Sequence, residues 1–269
     1  MIRVEFIGIP GSGKSTLHSH IVSNLKNIHD CKFLSDEEAF CLVAKKEVDG
    51  IYRTLLNILP GSVAQNLSTR LMNRTLFQFE AQNRFLSLYG ESFVAFLSSP
   101  QYKKLTKDDR VNLISYYLQL GGVFECIVRG FSGRSVILFD EGFVQKSFMF
   151  VSHNSNFQEN WPYIREYLEN IPLPQIIISV DPPISICQDR MQSRAKGLTV
   201  RLRRLGDQSK VDNSLRQAHE HLHEVVGWLR ENTNTKIIEV MNESSLEESL
   251  GEIVQNIISL SEVFINRTN

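Results

Sequence analysis

The chain lacks any close pair of cysteines: Cys31, Cys41, Cys126 and Cys187 are scattered over 269 residues. That spacing excludes a zinc ribbon or a redox Cys pair and predicts reduced thiols packed as small hydrophobes. Glycine and proline are sparse, at 15 and 8 residues, which excludes a collagen-like or low-complexity chain. No charge dominates. Twenty-nine Lys and Arg against 30 Asp and Glu leave a net charge of -1, which argues against a protein that coats a nucleic acid polymer. No run of about 18 consecutive apolar residues occurs, and no basic segment followed by an apolar one opens the chain, so neither a spanning helix nor a secretory leader is expected. A soluble, cytoplasmic protein without a membrane partner is the expectation. What is present is an ordinary globular composition, 42% hydrophobic and 22% charged, in a chain of one or two domains' length.

Short apolar, β-branched runs recur at residues 3–9, 32–34, 136–139, 175–180 and 236–240. Turn residues bound them: Pro10-Gly11 after the first, Gly142 after the third, Pro174 and Pro182-Pro183 around the fourth. Helical periodicity fills the spaces between, as at residues 16–26, which predicts a parallel sheet covered on both faces. About 100 residues separate the second and third runs. Their patterns at 69–89 and 107–120 are helical, so residues 40–130 are expected to form a helical insertion. The aromatics Phe77, Phe79, Phe85, Tyr89, Phe93 and Phe96 are expected to pack its helices together.

Gly8-Ile9-Pro10-Gly11-Ser12-Gly13-Lys14-Ser15 matches G-x-x-x-x-G-K-[ST], between an expected strand and an expected helix. Glycine lets consecutive backbone N–H groups turn inward as an anion nest, and the helix that follows adds its N-terminal dipole. Lys14 brings a point charge to the β- and γ-phosphates, and Ser15 a hydroxyl for Mg²⁺. Val136-Ile137-Leu138-Phe139-Asp140-Glu141 then carries carboxylates to the strand ends, where open α/β sheets bind ligands.

These motifs resemble the P-loop kinases of small molecules, the group that holds adenylate, thymidylate and deoxynucleoside kinases. The resemblance spans the chain in layout and is specific at residues 3–17, 136–142 and 186–204. It implies a P-loop NTPase three-layer α/β sandwich with a five-stranded parallel sheet in order 2-3-1-4-5. It also implies a single domain over 1–269, with a helical substrate lobe at 40–130 and a lid at 186–210. ATP and Mg²⁺ are the implied cofactors and a small molecule the implied phosphoryl acceptor; a homodimer stays open. Pro10, Gly11, Ser12, Gly13, Lys14, Ser15 and Thr16 are the expected nucleotide-binding residues, and Ser15 with Asp140 the expected metal ligands. Arg190 and Arg194 stand i, i+4, like lid arginines that close over the transferred group. Arg201, Arg203 and Arg204 follow them. Asn242 falls where such kinases touch adenine.

Ser35-Asp36-Glu37-Glu38 follows the second strand. It reads both as a helix capping box and as a source of the base, Asp36 or Glu37, that takes the acceptor's proton. Arg70, Arg74, Gln82 and Arg84 of the insertion, with Glu141, are the candidate acceptor contacts. Nucleotide kinases of this group carry an acidic residue and then Arg where this chain has Glu141-Gly142. That departure weighs toward a sugar or other small alcohol beside a nucleoside or nucleotide. The reading from another class is a nucleotide-dependent switch with a protein partner, which needs neither lid arginines nor a long helical insertion. His219, His221 and His223 are expected on an exposed helix and not as metal ligands.

Overall fold

The computed structural model describes the backbone of residues 1–25, 32–72, 76–131, 134–151, 157–193, 200–242 and 246–267. In chain order the elements are β1 (Ile2–Ile7), α1 (Lys14–Leu25), β2 (Lys32–Ser35), α2 (Asp36–Glu47), α3 (Ile51–Ile58), α4 (Gly61–Met72), α5 (Leu76–Ser98), α6 (Pro100–Lys104), α7 (Lys107–Gly130) and β3 (Ser135–Phe139). Then follow α8 (Phe143–Lys146), a 3-10 turn (Ser147–Phe150), α9 (Phe157–Asn170), β4 (Ile176–Val180), α10 (Ile184–Ser193), α11 (Val200–Arg203), α12 (Gln208–Asn232), β5 (Lys236–Val240) and α13 (Leu246–Arg267). The five strands form one sheet, β2-β3-β1-β4-β5, every pair parallel. This is the P-loop sandwich order that the motifs implied. All carboxyl ends therefore open on one edge, and the loops leaving β1, β2, β3, β4 and β5 meet there.

Period-2 alternation sorts the strand side chains between two cores. Val4, Phe6, Val136, Leu138, Ile176 and Ile178 face one side, against Leu17 and Ile21 of α1 and Ile253 and Ile257 of α13. Ile7, Ile137, Phe139 and Ile177 face the other side, against Tyr167 of α9 and Leu222, Val226 and Leu229 of α12. The helical insertion joins this second core. Phe85 stacks on Phe143 (centroids 5.0 Å apart) and Phe93 on Tyr117 (5.3 Å). Phe79 departs from the expected packing role, being 60% exposed. The pattern expected at 69–89 proves to span two helices, α4 and α5, and α5 kinks at Tyr89 (φ −129°, ψ 17°). By length and composition α7 could cross a membrane. In this fold it packs against α5 and α2, with Tyr117, Phe124, Cys126 and Ile127 buried.

Two charged residues of β1 break the apolar alternation. Arg3 and Glu5 are almost wholly buried and pair with each other, Nε to Oε1, at 3.2 Å. Arg3 lies over the Phe124 ring at 4.7 Å and donates to the Pro172 carbonyl. Glu5 Oε2 accepts from the Val144 backbone N–H at 3.0 Å, fastening the first turn of α8. Burial pushes the Glu5 carboxyl above its ordinary range, against the pull of Arg3 and these N–H groups. Gly142 has a steric cause here. A Cβ on it would lie 2.0 Å from Glu5 Cδ, so the buried carboxylate fills the space of any side chain at that position. Gly142→Ala is expected to cost about 1–3 kcal/mol through forced displacement of Glu5. Urea denaturation checks this, and a midpoint equal to the parent's would contradict the packing described.

Candidate active site

The turn from β1 into α1 forms the anion nest. Gly11 and Gly13 sit at φ +89° and +90°, conformations that only glycine adopts without strain. Close packing holds the same two positions. A Cβ on Gly11 would come within 2.4 Å of the Cys187 carbonyl oxygen, and one on Gly13 within 2.6 Å of Asn242 Nδ2. The loop's outward-facing groups are tied down. Gln145 pairs with both backbone groups of Gly8, accepting from its N–H at 2.9 Å and donating to its carbonyl at 3.2 Å. Asn242 Nδ2 and Arg190 both donate to the Ser12 carbonyl, at 2.8 and 3.1 Å. Arg190 also donates to the Asn242 carbonyl at 2.8 Å.

Two cavities flank this loop. The larger, about 570 Å³, is lined by Ser15, His18, Ser35, Asp36, Glu37, Tyr116, Gln119, Asp140 and Glu141, with Val22, Leu120 and Val123 among its apolar surfaces. The smaller, about 280 Å³, runs over Pro10, Gly11, Gly13, Lys14 and Ser15 and is walled by Phe148, Leu202, Leu215 and Ala218. Ser15 and Glu141 line both.

Glu141 organises the charge between the cavities. Its Oε2 accepts from Lys146 Nζ at 2.7 Å, and its Oε1 lies 3.9 Å from Lys14 Nζ. Lys146 is buried, donates to the Tyr116 hydroxyl at 3.2 Å and sits 4.3 Å from the centre of that ring. Burial works against the charge on Glu141, but the two lysines outweigh it and hold the carboxyl below its ordinary range. Asp36 goes the other way. Burial, then the nearby charges of Glu37 and Asp140, push it from an ordinary 3.8 up to about 7. Ser35 still makes the expected capping box with Glu38. Capping role and cavity position therefore coexist in one four-residue segment. The site fits a divalent cation on one observation: Asp140 Oδ1 is buried and accepts no hydrogen bond among the described residues. It lines the same cavity as the Ser15 hydroxyl.

The structure distributes the remaining expected residues unevenly. Thr16 is exposed on α1 and lines neither cavity. Arg194 and Arg74 lie outside the described residues. Neither cavity is lined by Arg70, Gln82 or Arg84. Arg84 has another partner, the buried Glu125 of α7, at 3.2 Å, and Gln82 packs against Gly122. Arg70 is exposed in the last turn of α4. Arg190 does not reach over the phosphate cavity, since both guanidinium nitrogens that bond are committed to backbone carbonyls. Arg204 pairs with Asp109 of α7 at 2.8 Å. The histidine triplet is not uniformly exposed. His221 is fully buried, with burial lowering its pKa to about 3. Because Ser147 Oγ spends its proton on the Val144 carbonyl, the 2.8 Å contact has His221 Nε2–H donating to Ser147.

Lys146, Tyr116, Gln145 and Glu5 belong to the site or its frame and carry no local sequence signature. No family model matches the chain, and no curated protein does. Among solved structures it resembles a deoxyadenosine kinase from M. mycoides with bound dCTP, at 14% identity and TM-score 0.44, over 96% of this chain and 100% of that one. The deoxyadenosine kinase from M. mycoides with bound dATP gives 14% and 0.42, over 96% and 99%. A shikimate kinase from Acinetobacter baumannii in complex with shikimate gives 14% and 0.36, over 96% and 94%. With likeness this distant, the chemistry has to be read from the residues of the site.

Folding raises the Asp36 pKa from 3.8 to about 7, so the native chain binds the extra proton between those values. Stability therefore falls as pH rises through that window. Asp36→Asn, which keeps the shape of the protonated acid, is expected to melt a few degrees above the parent at pH 8. The two should converge near pH 4. Melting curves at both pH values test this, and a gap independent of pH would show that Asp36 is not held against its charge.

Proposed function

We propose that the chain is an ATP- and Mg²⁺-dependent phosphotransferase that moves the γ-phosphoryl group to a hydroxyl of a small molecule. One observation carries the reading: a glycine nest with Lys14 at its end opens into a carboxylate-lined cavity large enough for a small acceptor. Cavities of this size hold metabolite-sized ligands.

The backbone N–H groups of 10–15 and the α1 N-terminus bind the phosphates. Lys14, held near Glu141 beforehand, turns its charge to the β- and γ-oxygens. Ser15 and Asp140 would hold Mg²⁺, which when bound neutralises charge on the terminal phosphates. Asp36, with an affinity for protons near neutrality, takes the proton of the attacking hydroxyl at its carboxylate oxygen. Glu37 stands beside it in the cavity wall. Arg194 closes over the transferred group as the family resemblance implies, with Arg190 fixing the loop beneath.

The acceptor cavity carries Asp36, Glu37, Asp140 and Glu141, and among the described residues neither arginine nor lysine lines it. Such a wall repels an acceptor that already bears phosphate and favours a neutral or cationic one. Val22, Leu120 and Val123 supply apolar area for a ring. A nucleoside fits this description, as does an amino alcohol or sugar; a nucleotide does not. The domain limits follow the same reading, with 40–130 as the acceptor lobe and 186–210 as the lid of a single kinase domain.

Labelled ATP offered with a panel of nucleosides, nucleotides, sugars and amino alcohols tests the reading. Labelled product is expected from a phosphate-free hydroxyl compound and none from the nucleotides. Acceptor-independent hydrolysis with no labelled product would point instead to a nucleotide-dependent switch. Lys14→Ala is expected to reduce transfer at least a hundredfold while leaving the melting temperature nearly unchanged. Near-normal turnover in that variant would refute the role of the loop.

A further inference from the structure

Away from the acceptor cavity, three side chains converge. Asp181 follows the last residue of β4, and its N–H donates to the Val240 carbonyl at 2.9 Å. His219 and His223 stand one turn apart on α12. Their Nε2 atoms lie 3.0 Å from Asp181 Oδ1 and 3.1 Å from Asp181 Oδ2, and 3.3 Å from each other. All three groups bring a ligand atom within 4.8 Å of the others. The third group of the cluster, a carboxylate, comes from the end of a strand.

We propose that Asp181, His219 and His223 form a binding site for a divalent first-row transition metal of the zinc class. Four-coordinate Zn²⁺ with bonds of 2.0–2.1 Å requires ligand atoms about 3.3 Å apart along each edge. The spacings of 3.0, 3.1 and 3.3 Å need only a small expansion to admit the ion. Hydrogen bonding leaves the cluster unsatisfied. Asp181 Oδ1 is buried and accepts no hydrogen bond among the described residues, although an imidazole nitrogen lies 3.0 Å away. The two Nε2 atoms face each other at 3.3 Å, and an imidazole whose proton sits on Nδ1 presents a lone pair there. Two imidazoles and one carboxylate suit zinc, cobalt or nickel far better than magnesium, which takes oxygen ligands. The His223 side chain is 57% exposed, which leaves the fourth position to water.

The ion would join the end of β4 to α12. Ser214, Leu215 and Ala218 of that helix wall the phosphate cavity, so the site pins one side of it. The site shares no residue with the kinase reading and stands or falls separately from it.

The test uses full-length protein stripped with chelator and kept in millimolar Mg²⁺. Titration with Co²⁺ is expected to give one equivalent with the visible bands of a four- or five-coordinate nitrogen and oxygen site, without a thiolate charge-transfer band. Zn²⁺ is expected to displace it and to raise the melting temperature. His223→Ala, an exposed position whose loss leaves the fold intact by circular dichroism, is expected to weaken Zn²⁺ binding at least tenfold and to abolish the thermal shift. Asp181→Asn is expected to do the same. No saturable Co²⁺ spectrum, or Zn²⁺ affinity unchanged in His223→Ala, would overturn the proposal.

Discussion

An anion nest is a frustrated piece of backbone. Its N–H groups must converge on an empty centre, so its carbonyls and outward amides must be satisfied elsewhere. In this protein three distant segments do that. Gln145 holds Gly8, Asn242 and Arg190 hold the Ser12 carbonyl, and the Cys187 carbonyl lies against Gly11 where only a hydrogen fits. The parallel sheet makes this possible, because α8, α10 and the segment after β5 all start from strand ends on one edge. Asn242 itself takes a positive φ of 43° to reach the loop. The preorganised loop is thus a property of the whole sheet edge.

The same edge concentrates negative charge. Asp36, Glu37, Asp140 and Glu141 share one cavity wall, and Lys14 and Lys146 stand close enough to Glu141 to offset part of it. Burial pushes the proton affinity of Asp36 up, and the crowded carboxylates of Glu37 and Asp140 add to it. The arrangement costs stability and gains chemistry: a group held protonated near neutrality is poised to exchange a proton. Lys146 is the less evident half of this balance. Buried beneath Tyr116, it holds Glu141 in place beside Lys14, whose Nζ lies 3.9 Å from the carboxylate.

Features encoded locally could be read from the sequence. The phosphate loop, the capping box at Ser35, the five strands and their parallel arrangement follow from neighbouring residues or from spacing, while their order is implied by the family resemblance. Partners separated by more than a hundred positions could not. Gln145 meets Gly8 across 137 residues and Val144 meets Glu5 across 139. No periodicity announces either. Arg84, expected to meet an acceptor, pairs instead with Glu125 of α7. Gly142 read as a lost arginine, whereas the buried Glu5 fills the space any side chain there would need. Nothing beside the histidines of α12 marks Asp181 as their neighbour; the end of β4 brings it to them.

The segment between α10 and α12 combines firm and weak attachments. Met191, Leu202, Val211 and Leu215 form a small apolar cluster with Ile184 and Leu205, so α11 packs with its flanking helices as a unit. Among the described residues an ion pair of Arg204 with Asp109 ties it to the helical insertion, with side chains 64% and 34% exposed. A pair so open to water is worth at most about 1 kcal/mol. It can break and reform at little cost, while the apolar cluster keeps the unit intact. A cohesive body on a weak latch can shift as one piece without unfolding.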